Sequence, residues 1–379
     1  MPLKEYKYKP YDLDEYIREG EPCVRERGLA WQTAIGLQEV DGLHTSNYLM
    51  DTARRHIEGE ITIAEAHNLI DTYYKTSANR SEVKNDRTEE ADKVSARITE
   101  LLSERSFSMA SAQLIAIHRH LFHGIYNHAG LIRNYNITKK EWVLRGETVL
   151  YSSYYMISDN LEHDLRQEKE FSYTGLNIDN AIQHLTRFCS NLWQIHAFGE
   201  GNTRTTAVFM IKYLRKLGFN VTNDVFAKHS WYFRNALVRA NYTNLNEGIT
   251  ETTIYLERFF RKMILGEPHP LRNRELHLDW KEDTDKSQSA IHQSANSTAQ
   301  SATNENQSAN TFSLKCKNCT IDQIAVLRII QVNPSATQKQ IAEEIGKSER
   351  TVKAITSSLS HEGIIVRING KRNGFWKIK

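Results

Sequence analysis

The chain has 379 residues, 40% of them apolar, with 49 Lys and Arg against 46 Asp and Glu for a formal net charge of +3. That length suits two or three domains, and the near balance of charge excludes a protein that coats nucleic acid over its whole surface. Four unevenly spaced cysteines, Cys23, Cys189, Cys316 and Cys319, exclude a disulfide scaffold and suit a reducing cytoplasm.

In chain order, the opening stretch MPLKEYKYKPYDLDEY has no apolar run for a signal peptide. No later run reaches the roughly 18 apolar residues of a membrane span, so the expectation is a cytoplasmic protein that does not enter a membrane. Helical periodicity marks Arg27–Val40, Ser46–Ile57 and, past the break at Gly59, Ile63–Tyr74, giving an N-terminal helical segment over 1–78. From 79 to 267 apolar residues again recur three or four apart, in Ile98–Leu102, Ser111–Leu121, Ile178–Gln194 and Thr203–Leu217. In the third of these, Ile182, Leu185, Phe188 and Leu192 make one stripe. The period stops between Arg133 and Ile157. There Trp142–Leu144, the turn Arg145-Gly146-Glu147 and Thr148–Tyr151 predict a short β-hairpin.

A polar stretch, 268–313, follows, and its Ser-, Gln-, Asn- and Thr-rich heart from Thr284 to Thr311 predicts a flexible linker. On such a linker the last segment, 314–379, should move freely. Thr320–Gln331 predicts an amphipathic helix. Beyond it Ile341, Ala342, Ile345, Val352, Ile355 and Leu359 space the core of two helices around Gly346. IIVRI, Asn369-Gly370 and KRNGFWKI then predict two strands around a type I′ turn. This part resembles a winged helix-turn-helix. From Thr320 onward ten Lys or Arg face five Asp or Glu, a local charge of +5, which leaves 39 basic against 41 acidic residues elsewhere. The basic excess points to duplex DNA, with Ser348, Arg350, Thr351 and Lys353 as reading-helix candidates and Lys371 and Arg372 on the wing. Docking to protein is the alternative. Cys316-Lys-Asn-Cys319 is half of a zinc pattern without a second pair, so solvent-exposed thiols are expected there.

The chemistry concentrates in Gln194–Ala207, QIHAFGEGNTRTTA. A long apolar helix runs into a loop with two glycines, and a second apolar helix leaves it. Asn202 suits an N-cap for the helix that starts at Thr203. Backbone N–H groups at such an N-terminus form an anion site. Arg204 adds a permanently charged planar fork for phosphate. Glu200 offers a hard oxygen for Mg²⁺, and the imidazole of His196 can accept a proton. A plain turn between two core helices, with His196 and Glu200 as caps, is the other reading of the same residues.

HAFGEGNTRT resembles the Fic family signature, His-x-Phe-x-(Asp/Glu)-Gly-Asn-Gly-Arg-x-x-Arg, at His196, Phe198, Glu200, Gly201, Asn202 and Arg204. Ile117–Ile137 looks like the family's upstream segment, and His229–Tyr242 like its downstream helix. The resemblance implies a mainly α fold: a Fic-type helical core with a β-hairpin flap, here followed by the linker and the winged helix. It implies transfer of AMP from ATP, with Mg²⁺, to a Ser, Thr or Tyr hydroxyl of a protein. His196 would be the general base, Glu200 the metal ligand, and Gly201, Asn202, Thr203 and Arg204 the phosphate binders. Tyr232 and Asn235 are candidates for the adenine pocket, or pack or cap their helix. The flap would hold the target protein, and the chain itself counts among the targets. Two family positions differ: the second Gly is Thr203 and the second Arg is Ala207. A weaker enzyme, another phosphate-containing donor, or a transcription regulator that only senses a nucleotide therefore stays open.

Ala34–Tyr74 also resembles the small helical antitoxins that inhibit such enzymes through a (Ser/Thr)-x-x-x-Glu-(Gly/Asn) motif. Its best match puts Asp41 at the inhibitory Glu, before Gly42, and Leu37 at the Ser/Thr. The partner of that Glu is the second family Arg, so with Ala207 there the resemblance implies no ion pair for Asp41. An ordinary helical hairpin is the alternative.

Overall fold

The computed structural model of the chain describes residues 13–76, 87–219, 224–280, 319–370 and 374–379. It is mainly α, and among the described residues its one sheet is a two-stranded ladder near the C-terminus. Two units divide the chain. One comprises Met1–Arg133, Ala197–Tyr213 and Thr222–Trp231; the other comprises Asn134–His196, Leu214–Val221 and Tyr232–Lys379.

The first unit opens with α1 (Asp14–Glu19), α2 (Pro22–Gly36), α3 (Asn47–Glu58) and α4 (Ile63–Lys75). Local chemistry sets their ends. Pro22 starts α2, where its missing N–H costs nothing. The Ser46 hydroxyl caps α3 by accepting from Leu49 N–H, Gly59 ends it in the left-handed conformation, and Thr62 with Glu65 forms a capping box for α4. Two further helices follow, α5 (Thr88–Ser103) and α6 (Ser111–Phe122). Trp31, Leu49, Ala53, Ile57, Ile70, Tyr74 and Ala96 share one core. Asp92 of α5, fully buried, accepts from Ser46 N–H at 2.8 Å and from the Tyr74 hydroxyl at 2.7 Å, so it fastens α3 and α4 to α5. At the end of α2, Gly36 lies against the backbone of Ala227, where a Cβ would come within 2.3 Å of a carbonyl oxygen, and its own carbonyl accepts from the Ser230 hydroxyl at 2.7 Å. That close approach fixes the turn that follows, a 3₁₀ segment Leu37–Asp41 closed by Gly42 at φ 68°.

In the second unit α7 (Ile157–Glu170) and α11 (Ile254–Leu265) pack on α8 (Ile178–Ile195). The stripe Ile182, Leu185, Phe188 and Leu192 is buried as the spacing predicts. Two helices, α9 (Asn202–Lys216) and α10 (Asp224–Ala240), contribute residues to both units, and α10 departs from helical geometry at His229.

The predicted flap hairpin differs from expectation in its first arm. Trp142–Leu144 is a single 3₁₀ turn, and Arg145 and Gly146 take φ of 57° and 87°. The reversal is closed by Glu141 N–H donating to the Glu147 carbonyl at 2.9 Å, without a strand ladder. The reason is burial: Val143 and Leu144 are adjacent and both fully buried, whereas a strand sends neighbours to opposite faces.

The C-terminal module is built of α12 (Ile321–Val332), α13 (Gln338–Ile345), α14 (Glu349–His361), β1 (Ile365–Ile368) and β2 (Phe375–Ile378), with Ile365 opposite Ile378 and Ile368 opposite Phe375. Asn369 and Gly370 both have positive φ. Because Ile368 pairs with Phe375, the connection is longer than the two residues of a type I′ turn. Nor does the module stand apart as the linker suggests. Ile178 N–H donates to Cys319 O at 2.9 Å, Arg328 donates to Ile264 O at 2.7 Å, and α12 packs on α8. Cys319 is 2% exposed, which corrects the expectation of an exposed thiol; Cys316 and the predicted linker core lie outside the described residues. No described helix is long and apolar enough to cross a membrane.

Candidate functional site

His196 caps α8 at φ 49° and ψ 56°, a left-handed conformation uncommon for a bulky residue. Its N–H donates to Trp193 O at 3.0 Å, and its ring is 3% exposed against Tyr151 and Trp193.

In the other unit the loop Ala197–Gly201 is closed by its own residues. Asn202 Oδ1 accepts from Phe198 N–H at 2.9 Å, and Asn202 Nδ2 donates to Phe198 O at 2.7 Å. The side chain expected to cap the helix forward therefore ties the loop backward. The hydrogen-bond ladder of the helix begins at the Gly201 carbonyl, which accepts from Thr205 N–H at 3.0 Å and from the Thr205 hydroxyl at 2.9 Å. Gly201 sits at φ 73°, and a Cβ there would fall 2.3 Å from the Phe122 ring, so no side chain fits. Phe198 stacks on His118 at 3.8 Å and is buried. Glu200 points an exposed carboxylate outward while its carbonyl meets His118 Nε2 at 3.0 Å. Thr203 is 7% exposed and Ala207 fully buried.

Nothing in the sequence singles out His118, yet it braces this loop. Its Nδ1 accepts from Gly130 N–H at 2.8 Å, so the proton sits on Nε2 and is donated to the Glu200 carbonyl. Burial pushes its pKa down to about 4, and His56, which accepts from Trp31 Nε1, is likewise pushed down to about 4 by burial and the nearby Arg27 charge. A depressed folded-state pKa means that the unfolded chain takes up a proton below about 6.5 that the native state refuses until about 4. Stability is therefore present above that window and lost as pH falls through it. Urea titrations at pH 7 and pH 5 should differ by roughly 2 kcal/mol on account of His118. His56 adds in the same direction, and the His118 share should vanish in His118→Gln; an unchanged difference in that variant sinks the assignment.

Arg204 does not lie open to solvent. It is 0% exposed, with Nη2 2.7 Å from Asp41 Oδ2 and 2.7 Å from Glu90 Oε1, Nη1 donating to Gln38 Oε1 at 2.9 Å, and the Phe122 ring 4.8 Å away. Burial works against the guanidinium charge, but Asp41, Tyr126 and Glu90 outweigh it and hold the pKa raised. Asp41 thus has an ion-pair partner after all, and it is the first family arginine. The sequence pattern offers it only the second, because the motif alone does not show that Glu90 and Gln38 draw the first to the same place. Arg87 binds the same Glu90 from outside, at 2.8 Å.

In the second unit Tyr232 is 1% exposed, and burial raises its pKa. Asn235 is fully buried and donates to Asn273 Oδ1 at 2.8 Å. In the winged module, Ser348 caps α14 by accepting from Thr351 N–H at 3.1 Å, Arg350 and Lys353 are exposed, and Lys353 pairs with Glu349 at 2.9 Å. Lys371 and Arg372 lie outside the described residues.

The fold and these side chains define a helical protein with a closed Gly-containing loop between two long helices and, later in the chain, a winged module. Residues 108–214 match the model of the Fic/DOC family, and residues 323–366 match that of the winged helix-turn-helix DNA-binding domains. The chain thus carries a Fic/DOC domain followed by a DNA-binding type of winged helix. The solved structure of a Fic family protein from Desulfovibrio desulfuricans G20 is similar over 89% of this chain and 97% of that one, at 12% identity and a TM-score of 0.33, too slight a likeness to build on. No curated protein matches the chain.

Proposed function

We propose that this protein is a Fic-type nucleotidyltransferase that moves AMP from ATP to a hydroxyl of a protein. The observation that carries the reading is the order His196, Phe198, Glu200, Gly201, Asn202, Arg204 inside the matched Fic/DOC segment. His196 takes the proton of the target Ser, Thr or Tyr. The freed oxygen attacks the α-phosphorus, the bond to the β-phosphate breaks, and pyrophosphate leaves. The loop N–H groups and Arg204 bind the phosphates. Glu200, an exposed hard oxygen donor, fits the role of Mg²⁺ ligand. That ion supplies charge neutralisation on the phosphates. An extended target segment would lie beside the flap turn, where a groove is lined by Glu147, Thr148 and Tyr242–Asn246.

Arg204 is occupied by Asp41 and Glu90, so nucleotide must displace Asp41 before phosphate can use the fork. The resting protein is accordingly slow. Incubation with ATP and Mg²⁺ followed by mass spectrometry of the intact chain and of candidate targets tests the reading. An AMP adduct supports it, and no adduct even with Asp41→Asn rejects it. Thr203 and Ala207 favour a second reading, transfer from another phosphate-containing donor, which an adduct of different mass would reveal.

The winged module would bring this activity to duplex DNA. The full chain should bind DNA with an affinity that falls steeply with salt. Replacing Arg350 and Lys353 together by Ala should lessen the log–log salt slope by about 1.8, at about 0.9 per phosphate contact. A slope unchanged by both substitutions would return the module to protein docking.

A further inference from the structure

We propose that Tyr151, held by the buried Glu141–Arg234 ion pair, is a positioning residue for His196 that sets the orientation and proton affinity of its imidazole. The proposal rests on the reading of His196 as general base, and it is carried by contacts that lie wholly within one unit.

His196 keeps a left-handed backbone that its own side chain does not favour, so the surroundings must hold it. Two contacts clip the return arm of the flap to the end of α8: Gln194 Nε2 donates to Leu150 O at 3.1 Å, and Ser152 N–H approaches Gln194 O at 3.4 Å. Tyr151 lies between these contacts, and its ring meets that of His196 at 4.1 Å between centroids, tilted by 35°. Trp193 closes the other side edge-on at 5.3 Å.

The phenol is itself anchored. Tyr151 Oη donates to Glu141 Oε1 at 3.3 Å, and Glu141 Oε2 pairs with Arg234 Nη1 at 2.7 Å. Glu141 is 1% exposed, and its backbone closes the flap turn through Glu147 and Gly146. One buried residue therefore closes the neck of the flap with its backbone and anchors the ring beside the base with its carboxylate.

The chemistry follows from that anchoring. Burial and the Glu141 charge raise the Tyr151 pKa, so the phenol stays protonated and does not compete for the proton that His196 takes. As the target O–H breaks and the imidazole N–H forms, His196 becomes a cation. A ring face whose hydroxyl donates to a carboxylate is electron-rich and favours that cation. Arg234 gives the buried Glu141 carboxylate its counter-charge at 2.7 Å, so no unpaired ion is left there.

The test is the NMR titration of His196 in the full chain, assigned by difference against His196→Gln, in the wild type, Tyr151→Phe and Tyr151→Leu. Tyr151→Leu should lower the His196 pKa by about half to one pH unit. Its AMP transfer should show kcat down about tenfold with KM nearly unchanged, and the acid limb of the pH profile should move with the titration. Tyr151→Phe keeps the ring but loses the tie to Glu141, so it should weaken proton binding about twofold and decides the question if Tyr151→Leu does not fold. A His196 that titrates as in the wild type in the folded variants overturns the proposal. An inactive wild type would count against the general-base reading alone, because the titration still reports on Tyr151.

Discussion

His196→Ala is expected to lower AMP transfer by about 10²–10⁴ while leaving the fold and nucleotide binding in place. The imidazole would act on the proton of the target hydroxyl and not on the donor, so what disappears is the proton acceptor in the transition state. The substitution adds little backbone strain, because the position is already a non-glycine at φ 49°. It does remove a ring packed between Tyr151 and Trp193, so a modest loss of stability accompanies the loss of rate. Rates under saturating ATP, beside a thermal melt of the same preparation, separate the two effects. A variant that transfers AMP at the wild-type rate removes His196 from the mechanism. DNA binding by the same variant should match the wild type, because the reading helix lies far along the chain and carries its own charges.

The periodic elements are legible in the residue pattern itself. The α8 stripe, the Ser46 and Thr62 caps and the core spacing of α13 all follow from local rules that tertiary packing does not override. In α14 Val352 and Leu359 are buried as spaced, but Thr356 takes the place expected of the half-buried Ile355. The departures are set by burial at a distance. The first arm of the flap, Trp142–Leu144, reads as strand by composition, but two adjacent buried residues need a turn. The freedom inferred for the winged module comes from linker composition alone, which carries no sign of Arg328 on the Ile264 carbonyl. In the loop, the residue types are legible but their partners are not. Asn202 reads as a cap, yet its amide is consumed by Phe198. Glu90 carries a usable signal: an acidic residue in phase with the apolar stripe Ala91, Val94, Ile98 and Leu101 must meet a cation, and that cation is Arg204.

Arg204 should therefore be needed for the fold as well as for phosphate. Arg204→Ala leaves Glu90, 7% exposed, and Asp41 without their common partner, and truncating one side of a buried ion pair typically costs about 3–5 kcal/mol. Arg87 still neutralises Glu90, which places the expected loss near the lower end, about 3 kcal/mol. Asp41→Asn should act in the opposite sense on function. The four charges Arg87, Arg204, Glu90 and Asp41 sum to zero in the closed cluster, so neutralising Asp41 leaves one positive charge for a phosphate to claim. ATP should then bind about tenfold more tightly, the equivalent of one modest charge-assisted contact that no longer has to be displaced. A double-mutant cycle between Asp41 and Arg204, read by urea denaturation, should give a coupling of about 1 kcal/mol or more, while the pair Asp41 and Ala207→Arg should show little. Additive effects at Asp41 and Arg204, with ATP affinity unchanged in Asp41→Asn, would mean that the contact packs the turn after α2 and does not compete with nucleotide.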